Sequence, residues 1–395
     1  MKFGGAAAAS TLMRIVVSYH HIFIFQMENR INALDGFRFL AISLVAVFHY
    51  YSRFTLPQSP VNYYPYGSSF SNVFSANAYL GVHFFFIISG FVIYFSILRS
   101  SHLKDFFLRR FIRLFPPLLL ASVITYVFVA LADPQRAFPF HVSALSFLPS
   151  LTFTDTLFWQ PLFKGHKIAL IDGAYWSLLV EVKFYLLIAL IYFLLPKEKF
   201  LRNWTSLMAV LLVVHTLAEY VHFPMAVAIR KAMDVFFFYN YIAFFSAGIC
   251  FYDFYIHKKW RLEYLVTAMI AGITLWSLGW AGMTFMAVFL VLFAMLVNGS
   301  SLLGFFALPI VRRIGVISYT LYLLHQYIGL ILINAVCKWL PVAALWPVVP
   351  VFVYALLIGV TELIYRYYEE PVRKLMTNYY FPKRAPMPMV EKQAA

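Results

Sequence analysis

Two ionisable residues, Arg38 and His49, interrupt the apolar stretch LDGFRFLAISLVAVFH. On a helix they stand roughly 16 Å apart, three turns along and on one face. An ionisable side chain at membrane depth costs about 2.5–3.5 kcal/mol on insertion scales, so a pair facing one way predicts an internal cavity rather than lipid. Asp35 lies one turn before Arg38, and pairing would lower the cost of both charges. Arg38 has a second reading, in which it snorkels to the interface and does no chemistry. His49 sits too deep for that. A neutral imidazole there keeps one ring nitrogen free to take a proton, which is the chemistry of a general base. The alternative is a hydrogen-bonded packing histidine.

Other polar groups recur inside apolar segments at helical spacing. Arg110 and Arg113 stand one turn apart beside Arg109, just before Pro116 and Pro117. Two guanidinium groups on one face suit bidentate capture of phosphate oxygens, whereas a topology signal would accept lysine equally. In WSLLVEVKFY, Ser177, Glu181 and Tyr185 form one polar stripe. A carboxylate there must be paired or protonated, and Glu181 is expected to orient His49, pair with a cation, hydrogen-bond an acceptor hydroxyl or join two helices. In GVHFFFIISGFVI, Ser89 and Gly90 read first as small packing residues, and His83 as a second polar contact in the cavity. Ser318, Tyr322 and His325 share a face in GVISYTLYLLHQYI; His325 either helps with the acceptor or is a buried histidine bonded to tyrosine. YYEEPVRK reads as a helix end stopped by Pro371, with Glu369 available to the arginines. Arg38, Ser89 and Tyr185 are candidate oxyanion donors.

The elements that must hold these groups follow from composition. The 395 residues are 63% hydrophobic and 12% charged, with a mean hydropathy of +0.78. That excludes an ordinary soluble domain and predicts an all-α polytopic membrane bundle. About ten apolar runs are long enough to cross roughly 30 Å of hydrocarbon. They lie near residues 37–54, 78–98, 114–132, 174–195, 204–221, 235–255, 262–280, 281–298, 315–337 and 346–366. The stretch 141–160 is too polar and proline-broken for a span. Basic residues gather in the loops around 99–113, 197–202, 258–261 and 312–313 and after Arg366, which places both termini in the cytoplasm and loops 55–77 and 133–173 outside. The net charge of +15 is therefore mostly a topology signal, with membrane lipids as the expected surroundings and no nucleic acid as partner. Cys250 and Cys337 lie in apolar runs, so neither a disulfide framework nor a metal site is expected. Residues 1–26 read as an extension ahead of Met27, residues 27–376 as the membrane domain, and residues 377–395 as a cytoplasmic tail. His20 and His21 read as incidental.

Six motifs in order, LDGFRFLAISLVAVFH, GVHFFFIISGFVI, LRRFIRLFPP, AYWSLLVEVKFYL, GVISYTLYLLHQYI and YYEEPVRK, resemble the integral-membrane acyltransferase-3 family, which includes O-acetylases of surface polysaccharides. His83 and Lys183 depart from the family pattern. The resemblance implies a membrane O-acyltransferase of the bacterial inner membrane with His49 as general base, and Arg38 and Glu181 beside it in the catalytic set. Arg110 and Arg113 fall at the acyl-coenzyme A end, and Asp35, Ser89, Ser177, Tyr185, Tyr322 and His325 in support. Acyl-CoA, with acetyl-CoA first, is then a co-substrate; no cofactor is bound permanently and no metal is needed. The acceptor would be a carbohydrate, a lipid-linked saccharide or another hydroxylated molecule, for which Trp159, Tyr63, Tyr64 and Tyr66 offer stacking surfaces. A transporter or flippase, or an acyl relay serving a separate extracytoplasmic transferase, is the alternative. The absence of an internal repeat speaks against a transporter.

Overall fold

A computed structural model describes residues 33–55, 59–140, 142–220, 225–276 and 278–382; the extension, Met27, His20, His21 and the end of the tail lie outside them. The described residues form an all-α bundle. In chain order the α-helices longer than two turns are α1 (Ala33–Tyr51), α2 (Gly81–Leu98), α3 (Leu103–Ala132), α4 (Trp176–Leu194), α5 (Phe200–Tyr220), α6 (Ala226–Phe237), α7 (Tyr239–His257), α8 (Leu262–Trp276), α9 (Gly279–Asn298), α10 (Pro309–Leu324), α11 (Tyr327–Trp339), α12 (Val349–Ile364) and α13 (Glu370–Tyr380). By length and apolar composition, seven of the described helices can cross a membrane, or up to nine if each bent pair is one span. The expected ten are reduced because α8 and α11 are short apolar helices.

Three sequence boundaries shift for physical reasons. The third span begins at Leu103, because α3 runs for 30 residues straight through Pro116 and Pro117. Tyrosine hydroxyls serve the backbone around the prolines: Tyr319 donates to the Leu114 carbonyl (3.1 Å) and Tyr368 to that of Pro116 (3.3 Å). Pro371 does not stop the last helix. A π-turn, Tyr365–Glu369, follows α12, and Pro371 falls in the first turn of α13, where its missing N–H would have had no partner anyway. The helix thus continues beyond the expected tail boundary at 377.

The expected span 315–337 is the third case, for it breaks at His325 and Gln326 into α10 and α11. Unwound backbone at membrane depth survives only where protein groups replace the lost helical bonds. Here they do. The Tyr327 N–H donates to Asp172 Oδ2 (3.1 Å), and the Leu323 carbonyl accepts from the Tyr175 hydroxyl (3.2 Å). The Tyr322 carbonyl lies 2.7 Å from His325 Nδ1, while the His325 carbonyl keeps its helical bond from the Gly329 N–H (3.1 Å) and also accepts from the Tyr50 hydroxyl (2.8 Å). Asp172 also takes the Ala174 N–H on Oδ1 (2.8 Å), so one carboxylate pins the approach to α4 and the start of α11.

The most extensive helix crossing is α2 on α7. A Cβ on Gly90 would overlap the Phe245 backbone, and one on Gly248 would overlap the backbone of Ile87 and Phe91. Hydrocarbon gives no hydrophobic drive to helix pairing, so such backbone contact carries the association. Around it, large rings fill the layers: Phe86 and Phe184 stack on Phe245 at centroid distances of 4.6 and 4.1 Å.

Gly248→Leu should therefore lower the thermal midpoint of the detergent-solubilised chain by several degrees, in keeping with an overpacking cost of about 1–3 kcal/mol. Gly272→Leu, which meets open space, should leave it within about a degree; equal effects would count against the crossing. Burial pushes the Asp172 carboxyl from 3.8 up to about 7 against the pull of its two N–H donors. The folded state then holds a proton that the unfolded state has lost, so Asp172 destabilises progressively as pH rises from about 4 to about 7 and no further above that. Thermal midpoints of the native chain should show this slope between about pH 5 and 7, and Asp172→Asn should flatten it.

Candidate active site

Three cavities lie in series through the bundle, and each shares walls with the next. At the end where the basic loops gather, a cavity of ≈ 230 Å³ is lined by Asp35, Arg38, Arg113, Ser318, Tyr319, Glu369 and Arg373, among others. Arg38, Arg113, Ser318 and Tyr319 also line a middle cavity of ≈ 90 Å³, with Ser89, Ser177, Glu181, Tyr185 and Tyr322. Val82 and Tyr322 in turn separate it from a third cavity of ≈ 440 Å³, which holds His49. That cavity opens toward the long loops through Arg53, Ser59, Pro60, Pro139 and Phe140.

Helix α1 ties the series together. Arg38 donates to Asp35 as expected from their one-turn spacing, and close packing carries that pair to α10, since a Cβ on Gly315 would overlap the Asp35 backbone. The face of α1 then rises past Val45 to His49, which lines the third cavity while Arg38 lines the first two. Both residues thus face internal space, about 16 Å apart along one unbroken helix.

His49 meets His325. Their Nδ1 and Nε2 atoms are 3.1 Å apart, across 276 residues of chain, and His49 Nδ1 is also 2.9 Å from the Val45 carbonyl. His325 is fully buried. The break between α10 and α11 is what aims its ring at α1. The single-face reading of Ser318, Tyr322 and His325 placed the residue on the right side of the helix, but nothing local signals the unwinding that turns it. Beyond His49, two tyrosines of the loop that follows α1 answer the carbonyls at its end: Tyr64 donates to His49 and Tyr66 to Tyr50. Their rings are stacked at 5.3 Å.

Glu181 does not touch His49. Its Oε1 accepts from Ser89 Oγ (2.7 Å) and from the Tyr185 hydroxyl (2.6 Å). This corrects the packing reading of Ser89, which faces the cavity while Gly90 makes the helix contact. Ser89 and Tyr185, read as candidate oxyanion donors, here give their hydroxyl protons to the carboxylate. Arg38, the third such candidate, stands three turns along α1 from the imidazole. Ser177 and Tyr322 share a hydrogen bond of 2.8 Å, and the Tyr322 hydroxyl reaches the Ala174 carbonyl at 2.9 Å, which fixes the partition between the middle and third cavities.

The two arginines expected to act together divide. Arg113 lines two cavities. Arg110 lines none of the three; its Nη2 donates to Ser96 Oγ (3.0 Å), while its buried Nε and Nη1 have no hydrogen-bond partner among the described residues. His83 is likewise absent from the cavities and is enclosed by rings, with Phe244 at 4.7 Å and Tyr241 at 5.7 Å between centroids. Its position on α2 turns it toward α7. Arg373 and Tyr319 were not singled out by sequence, although both sit in the motifs that carry Glu369 and Tyr322. Trp176, Gln326, Tyr327 and Tyr79, which line the third cavity, were also passed over as single aromatic or amide residues without a spacing signal. Trp159 is not a lining residue of any of the three cavities and pairs with Thr154 (2.6 Å). No group of three or more histidine, cysteine, aspartate or glutamate side chains able to hold a metal occurs among the described residues.

The arrangement offers a basic chamber, a small middle cavity and a roomier chamber holding an imidazole whose Nδ1 is already engaged. Such a site can bring an anionic, slender reagent from one end to a neutral hydroxylated one from the other. Comparison with known families finds one match: residues 31–366 fit the acyltransferase-3 family, described as an acyltransferase domain. No curated protein and no solved structure matches the chain.

Proposed function

The chain belongs to the acyltransferase-3 family, and from that premise we propose that it is an O-acyltransferase that moves an acyl group, acetyl first, from cytoplasmic acyl-CoA to a hydroxyl of a carbohydrate or lipid-linked saccharide. The observation that carries this reading is the serial arrangement of the cavities, with arginines at one end and His49 at the other. In the bacterial inner membrane the basic end would face the cytoplasm, as the distribution of Lys and Arg requires.

Acyl-CoA then enters at the basic end. Its phosphates meet Arg113 and Arg373, with Arg38 held in place by Asp35. Guanidinium groups suit phosphate because they offer paired donors and stay charged. The middle cavity, at ≈ 90 Å³, is the smallest of the three, which suits a linear pantetheine arm better than the nucleotide head. The arm spans the interval between Arg38 and His49 and delivers the thioester to the partition at Val82 and Tyr322.

The acceptor occupies the third cavity, where Trp176, Tyr79 and Tyr327 supply apolar faces for a sugar ring. His49 takes the hydroxyl proton as the oxygen attacks the thioester carbonyl. The new C–O bond forms, the C–S bond breaks, and the proton passes from the imidazolium to the departing sulfur. Glu181, held by Ser89 and Tyr185, acts on the donor side, where its charge offsets part of the arginine field.

Labelled acetyl-CoA supplied to vesicles that carry the full chain, with membranes of the source cell as acceptor, tests the proposal. The native chain should transfer label to glycan, and His49→Ala should reduce the rate by about 10²–10⁴-fold; undiminished transfer in that variant would remove His49 from the mechanism. Arg113→Ala should raise KM for acetyl-CoA by about 10–100-fold with a smaller change in kcat, the pattern of a lost charged contact to the donor's binding groups. Movement of the glycan across the membrane without label transfer would favour a flippase instead.

A further inference from the structure

We infer that His325 is a positioning residue that holds His49 in a single tautomer and so makes His49 Nε2 the basic atom. The inference rests on the reading of His49 as general base. It follows from which neighbours can only accept. His325 Nδ1 stands 2.7 Å from the Tyr322 carbonyl, and a carbonyl has no proton to give. Nδ1 therefore carries the hydrogen, and a neutral imidazole has just one, which leaves His325 Nε2 as a lone pair.

That lone pair faces His49 Nδ1 at 3.1 Å. The other neighbour of the same atom is the Val45 carbonyl, at 2.9 Å. Both neighbours accept, so His49 Nδ1 must carry the proton and share it between them. The lone pair of His49 is left on Nε2, on the side of the ring away from both partners. His49 lines the third cavity, the chamber assigned to the acceptor.

The backbone break fixes this assignment. In a continuous helix the Tyr322 carbonyl would be taken by the N–H four residues on; the unwinding frees it for the His325 ring. Tyr50 holds the break against α1 by donating to the His325 carbonyl at 2.8 Å, and the lack of a side chain at Gly329 makes room for the Tyr50 hydroxyl. Tyr322 flanks the His325 ring at 5.3 Å between centroids. When Nε2 takes the hydroxyl proton, the positive ring still donates from Nδ1 to a neutral acceptor. His325 thus steadies the imidazolium without a charge of its own, and the proton remains free to move on to the sulfur.

Three variants of the full chain in vesicles, His325→Leu, His325→Gln and His49→Ala, separate the possibilities, with labelled acetyl-CoA as donor and source-cell membranes as acceptor. Leucine fills the space without an acceptor for His49 Nδ1. Glutamine offers a carbonyl to His49 and an amide N–H to Tyr322 at a spacing like that of the two ring nitrogens. The expected result is a fall in kcat of about 10²–10³-fold for His325→Leu, within the range of a lost general base, with KM for acetyl-CoA changed less than about threefold, and recovery of at least tenfold by His325→Gln. Native rates in His325→Leu, or a glutamine variant no better than leucine while the thermal midpoint matches the native chain, would overturn the inference and leave His49 as base. If leucine prevents folding, the glutamine variant decides alone: kcat within tenfold of native supports the inference and a deeper loss overturns it. Undiminished transfer in His49→Ala, or none in the native chain, would instead overturn the functional reading and this inference with it.

Discussion

Hydrocarbon offers no hydrogen bonds, so every polar atom inside this bundle has to be answered by another part of the protein. The interruption between α10 and α11 is where that demand is greatest, and the surrounding architecture is built to meet it. Asp172, Tyr175 and the His325 ring each replace a bond the helix gave up, and Tyr50 adds a second donor to the His325 carbonyl. They come from three places in the sequence. The approach to α4, the end of α1 and the start of α11 are thereby fixed to one point, which is also where the two imidazoles meet.

The same requirement shapes the arginine-lined end. Asp35 answers Arg38, and Ser89 and Tyr185 answer Glu181. Charges in a low-dielectric interior are costly to leave unpaired, and pairing each within one or two helices keeps the passage between them open. Arg110 is an exception, with two buried guanidinium nitrogens lacking a hydrogen-bond partner among the described residues, and Arg312 Nε is another. The close α2–α7 crossing, made possible by Gly90 and Gly248, sets the wall on which Ser89 stands. Packing and polarity are thus divided between adjacent residues of one helix.

Much of this was legible in the chain itself. The shared face of Arg38 and His49 followed from helical periodicity alone, as did the Asp35 pairing, and the ordered motifs anticipated the family that the match over residues 31–366 establishes. What could not be read depends on partners distant in sequence. The broken helix looked like one span, because LYLLHQYIGLILI is continuously apolar and Asp172 lies 155 residues before Tyr327. Ser89 and Gly90 are both small, and only the crossing with α7 decides which faces the partner helix and which the cavity. The π-turn before Pro371 was equally hidden: proline announces a stop, yet one extra residue per turn just upstream lets the helix resume.

The stacked pair Tyr64 and Tyr66 has a mechanical consequence. Through their hydroxyls they fasten the loop that gives Ser59 and Pro60 to the His49 cavity onto the terminal carbonyls of α1, so that pulling this loop away pulls on the helix end that carries the His49 ring. Hinging that side away would displace the His49 ring along with it. Widening must come from the facing wall, where Pro139, Phe140 and Tyr327 stand.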